Sequence, residues 1–121
     1  SVWLYLTLPD EPEIERDCWL FNTPGAPAEP DPAEYEQRSA PPPAPAQFIT
    51  AEGTRALPEE RSFRVRWSTD GHSVVVLLDG TPIGIATMTE EQGFSRYLHE
   101  QAAWGQPWDE ARFAALFGDG A

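Results

Sequence analysis

Eight prolines fall within the 22 residues from Pro24 to Pro45, and this density separates the stretches of chain that can hold regular structure from one that cannot. A proline fixes φ, lacks a backbone donor and biases the residue before it toward extended conformations. Neither a strand interior nor a helix of ordinary length passes through such a segment, and extended polyproline-like chain is expected. The exception is Asp31-Pro32-Ala33-Glu34-Tyr35-Glu36-Gln37, where an N-cap residue precedes a proline at the first helical position and opens a short helical turn. The strand-like residues ahead of the prolines are too few to form a core alone. Residues 24–47 therefore read as an ordered surface loop within one domain spanning 1–121, packed through Tyr35 and Phe48, rather than as a tether between two domains.

Val2 to Leu8 is dense in β-formers and ends at Pro9, and Cys18 to Phe21 reads as a second strand closed by the turn Asn22-Thr23-Pro24-Gly25. The two are expected to pair, joined by an acidic connection from Asp10 to Asp17. After the proline segment, Phe63, Val65 and Trp67 alternate with Arg64, Arg66 and Ser68, the pattern of a half-buried strand. Thr69 to His72 supplies a turn, Val74 to Leu78 a central strand, Asp79-Gly80 a tight turn, and Thr81 to Thr87 a third strand in which Ile83 and Ile85 alternate with smaller residues. Thr89 and Gln92 have capping-box spacing and Phe94, Tyr97, Leu98 and Ala102 recur at helical spacing, which predicts a helix over 90–103. A second helix is expected to start at Pro107, bury Phe113, Leu116 and Phe117, and stop before Gly118. Strands followed by helices predict an α+β fold, an antiparallel sheet of about five strands with two C-terminal helices on one face.

Trp67-Ser68-Thr69-Asp70-Gly71, followed by an apolar strand and Asp79-Gly80-Thr81-Pro82, resembles one blade of the β-propellers built from Trp-Ser-x-Asp-Gly hairpins. The resemblance spans about 20 residues and occurs once, whereas a propeller needs at least about four blades, so it implies a hairpin and no propeller function.

Twenty Asp and Glu against eight Arg, with no Lys, set a net charge of −12. Residues 1–60 hold twelve of the acids against Arg16, Arg38 and Arg55, so the charge is concentrated in the N-terminal half. Such a field repels phosphate backbones and anionic membranes and draws in basic partners, which argues against nucleic acid and membrane as ligands. Asp10, Glu11, Glu13, Glu15 and Asp17, joined by Glu34 and Glu36 if the proline loop folds back beside them, read either as a landing surface for a basic protein or as a solvated face. Lys-free composition rich in Ala, Pro, Gly and Arg suits a GC-rich bacterial source. A lone Cys18 and no apolar run of membrane-spanning length point to the cytoplasm, a removed targeting segment being the alternative.

Catalytic and metal signatures are missing from the sequence. One Cys and two distant His, His72 and His99, match no zinc spacing, and the acids do not follow the calcium-loop pattern, so neither metal nor cofactor is expected. Cys18, between Asp17 and Trp19 in a strand, reads as an inert core thiol, and no Gly-x-Ser-x-Gly elbow or phosphate-binding glycine loop occurs. Pro42 and Pro45 match Pro-x-x-Pro, but Arg38 does not supply a basic anchor at the usual SH3 offset, because residue 44 is Ala where a second proline would be required, which leaves a rigid spacer. Trp104 and Trp108 around Gly105-Gln106-Pro107 either plug the core edge or offer an aromatic anchor to a partner. The leading expectation is a non-enzymatic acidic binding protein that masks a basic partner, as an immunity protein masks a toxin. A secretion chaperone, a DNA mimic with acids spaced like phosphates, and a small enzyme using dispersed carboxylates are the alternatives.

Overall fold

The computed structural model describes residues 1–7, 13–24, 31–37 and 43–118. Among the described residues, two sheets, two α-helices and three one-turn 3-10 helices make up the regular structure. Strands β1 (Val2–Thr7) and β2 (Ile14–Phe21) pair antiparallel as a sheet of their own. Helix α1 (Pro32–Gln37) follows, and then a five-stranded sheet in sequential order: β3 (Phe63–Trp67), β4 (Ser73–Leu78), β5 (Thr81–Thr87), β6 (Phe94–Ser95) and β7 (Gln106–Pro107). Helix α2 (Glu110–Phe117) closes the described chain.

The β3–β4–β5 meander forms as its turn residues require. Asp79 and Gly80 both have positive φ, 49° and 85°, which a two-residue turn between right-twisted strands demands and which Gly accepts without a Cβ penalty. In the Trp67–Gly71 hairpin, the Ser68 hydroxyl donates to Asp70 Oδ1 at 2.6 Å while the Ser73 N–H donates back to the Ser68 hydroxyl at 3.1 Å. The Ser68 hydroxyl and the His72 N–H, donating to it, hold the Asp70 carboxyl below the usual carboxylate range. α1 starts as expected, with Asp31 Oδ1 accepting from the Ala33 N–H at 3.0 Å.

The central sheet divides two apolar clusters. Val74, Val76 and Leu78 of β4 pack with Cys18, Trp19, Leu20 and Phe21 of the β1–β2 hairpin, whereas Val75 packs with Ile85, Phe94 and Phe117 on the side of α2. A register shift opposite Val76 and Leu77 inserts Ile83 as an extra residue in β5. Ile83 therefore joins the hairpin-side cluster and Ile85 the helix-side one, although their spacing assigns both to one face. Trp19 and Phe21 have no exposed surface, and burial of each is worth about 3 kcal/mol.

Three expectations are corrected. Residues 90–103 are not helical: Phe94 enters the helix-side cluster while Tyr97 and Leu98 enter the hairpin-side one, so helically spaced apolar residues serve opposite faces of a sheet. Their backbone is drawn into bridges, with Arg96 N–H donating to Ile83 O and Thr50 N–H to Tyr97 O, and Gln92 Nε2 donates to Ala102 O instead of capping a helix. The C-terminal helix begins at Glu110, not Pro107, because Asp109 accepts from the Arg112 N–H as N-cap while Pro107 pairs in β7. The sheet is also not wholly antiparallel, since β6 and β7 run parallel. The proline segment is described in part: Ala44 is buried and Phe48 packs on the core, while the Tyr35 side chain and residues 38–42 lie outside the description.

Candidate partner-binding surface

Among the described residues, β1 and β3 are terminal strands of their sheets, and a groove lies beside them. β1 has β2 as its one sheet neighbour, and β3 terminates the five-stranded sheet. The hairpin packs most closely over β5 and β6, where Gly84 and Gly93 let it come down to positions at which a Cβ would meet Leu20 and Cys18. The alternation of Phe63, Val65 and Trp67 with Arg64, Arg66 and Ser68 is that of a half-buried strand. Phe63 stacks on Phe21, but Val65 and Trp67 are 57% and 53% exposed, since no element among the described residues covers the outer part of that face. Val2, Trp3, Leu4 and Leu20 from the hairpin and Phe63, Val65 and Val76 from the sheet line a groove of about 240 Å³. A wider hollow of about 730 Å³ adjoins it through Phe63 and Val65 and carries Glu59, Glu60, Arg61 and Arg64.

The acids singled out from the sequence are only partly placed. Asp10 and Glu11 lie outside the described residues; Glu13 is exposed just before β2, Glu15 is half-buried, and Asp17 faces solvent on β2 opposite Tyr5. Partial loss of hydration raises the Asp17 pKa, and burial together with the Asp17 charge raises that of Tyr5. Glu34 is exposed on α1, which also carries Glu36, whose side chain lies outside the description. Arg16, the cation within the acidic run, faces carbonyls: it donates to Glu15 O, Met88 O and Glu90 O at 2.7, 3.2 and 3.0 Å and ties β2 to the turn after β5. Among the described residues, Glu13, Glu15 and Asp17 of the run therefore have no arginine partner.

Trp104 and Trp108 are not brought together. Trp104 stacks near Phe48 in the hairpin-side cluster. Trp108 packs on Phe113 in the helix-side one, with Arg96 over its ring at 4.5 Å and its N–H on Glu110 at 2.6 Å. Both are half-buried, and the exposed aromatics among the described residues are instead Tyr5 and Trp67.

Among the described residues, no group of three or more His, Cys, Asp or Glu is placed to hold a metal ion, and no helix is long and apolar enough to cross a membrane. A polar pocket of about 500 Å³ holds Glu90 and Glu91, but Glu90 is braced by Arg112 at 2.9 Å and Gln92 by Ala102 O. Cys18 is fully buried, and burial pushes its thiol up to about 12 from an ordinary value of 9.0. The folded chain is therefore expected to resist iodoacetamide at pH 8, with labelling appearing only on unfolding. The sign of the linkage follows: above pH 9 the unfolded thiol loses a proton that the folded one keeps, so stability falls as pH rises toward 12. Between pH 7 and 10.5, urea denaturation should show the native chain losing about 2 kcal/mol more than Cys18→Ala.

No family model, curated protein or solved structure matches this chain.

Proposed function

We propose that the chain is a non-enzymatic binding protein whose partner is a protein of basic character, in the manner of an immunity protein that neutralises a toxin. One observation carries the reading: exposed Val65 and Trp67 extend an apolar groove along an open strand edge, in a chain of net charge −12. Apolar side chains at a groove resist dissociation, while the carboxylates of the N-terminal half steer a basic protein toward the surface and reject nucleic acid. The exposed hairpin residues Tyr5 and Ile14 stand beside Asp17, Glu13 and Glu15, so steering charge and contact area occur on the same strand pair.

The test compares capture by the immobilised native chain, by Val65→Glu and by a variant with Glu13, Glu15 and Asp17 changed to Gln and Asn. A partner of high pI that is retained by the native chain, lost with Val65→Glu, and associates more slowly and with less salt dependence after neutralisation is the expected result. Finding that every retained protein binds all three forms equally would sink the proposal.

A further inference from the structure

Seven arginines are described, and six have partners: Arg16 on carbonyls, Arg55 on Tyr97 and Phe21, Arg61 on Glu59, Arg66 on the Phe117 carbonyl, Arg96 on Trp108 and Arg112 on Glu90. Arg64 is exposed and, among the described residues, its side chain has no hydrogen bond, ion pair or ring contact. In a chain with twenty acids, the cation left without one lies in the middle of the edge strand β3.

The ladder phase shows what that edge offers. Ser68 N–H donates to Ser73 O and Asp79 N–H to Ser62 O, so Arg64 and Arg66 exchange backbone bonds with β4. The N–H and C=O groups of Phe63, Val65 and Trp67 consequently point away from the sheet. Their side chains lie on the groove face, and those of Arg64 and Arg66 on the other, where Arg66 reaches α2.

We infer that the outer edge of β3 is a docking site for an extended segment of a partner protein, with apolar residues at alternate positions and one carboxylate set opposite Arg64. Backbone pairing with Phe63, Val65 and Trp67 supplies affinity, the apolar residues fill the groove beside Val65, and the carboxylate meets the unspent guanidinium. Glu60, the unpaired acid of the adjoining hollow, confines the acid to that position. A second copy does not fit. Every antiparallel β3–β3 register that pairs three or more residues of each β3 strand, with Phe63, Val65 and Trp67 on one face, sets arginine against arginine across the strands.

This rests on reading the chain as a binding protein and names the element that binds. The probes are the blocked peptide Thr-Val-Glu-Val-Thr and its counterpart with Lys for Glu, titrated into the intact chain while backbone amide NMR shifts are followed. The expected result is shifts centred on Phe63, Val65 and Trp67, with the Glu peptide binding about tenfold more tightly and Arg64→Glu reversing the order. Since Arg64 is exposed and unpartnered, the variant keeps its fold, and Arg64→Gln should bind both peptides alike. Equal binding of the two peptides to the native chain, shifts elsewhere, or no binding overturns the assignment, as does sedimentation as a dimer joined through β3. If both peptides fail while Val65→Glu still abolishes capture of a basic protein, the edge assignment falls and the binding reading stands. If the Glu peptide docks and no basic partner is captured, the reverse holds.

Discussion

Asn22→Ala is expected to destabilise the chain by about 4 kcal/mol, measured as a lower urea midpoint with unchanged slope. Asn22 is 3% exposed, and its side-chain amide accepts from the Trp19 indole N–H at 2.9 Å and the Ala44 N–H at 3.0 Å while donating to Ala44 O at 2.8 Å. Its backbone exchanges further bonds with Gly53 O and Arg55 N–H, so it clasps the end of β2 to two later segments. Alanine leaves two donors and one acceptor buried without partners, each costing about 1–3 kcal/mol. Asn22→Asp keeps the acceptor but buries a charge beside Ala44 O, and it should lose at least as much at neutral pH. Recovery of native stability by either variant would mean that water reaches the clasp.

Gly93→Ala is the second large effect, about 3 kcal/mol of stability, because the added methyl has no space. Its Cβ would stand 2.6 Å from the Ile85 carbonyl oxygen and 2.7 Å from Cys18 Cβ, and neither atom yields without moving a strand. Gly84→Ala tests the argument by contrast: its Cβ would stand 2.3 Å from Leu20 Cδ2, the end of a side chain that can rotate. Its cost should be the smaller, about 1 kcal/mol. Equal losses at the two positions would show that the hairpin moves as a rigid layer and that backbone contact is not the deciding factor.

The candidate surface was legible in the sequence only as a pattern. Phe63, Val65 and Trp67 announced a strand with one apolar face, and periodicity cannot distinguish a face that another layer covers from one left open. Exposure of Val65 and Trp67 depends on where the β1–β2 hairpin comes to rest, and it packs most closely at Gly84 and Gly93, far along the chain. The acids read as one run divide between the bend before β2, β2 itself and residues outside the description. That Arg64 alone among the described arginines lacks a partner is likewise invisible in a list of charges.

Local chemistry determined the elements that need only their neighbours in sequence. The Asp79-Gly80 turn, the Ser68–Asp70 hairpin, the Asp31-Pro32 start of α1 and the strand β4 all form from bonds and backbone preferences within a few residues. Tertiary structure decided the stretch from Phe94 to Leu98, whose spacing satisfies a helix. Phe94 gains more in the cluster beneath α2, and Tyr97 and Leu98 in the cluster beneath the hairpin, than all three gain as one helical stripe. It also decided that Ile83 and Ile85 part to opposite faces and that β6 and β7 run parallel. In each case a local preference worth a fraction of a kilocalorie per residue yielded to burial worth about 1.5–3 kcal/mol per large side chain.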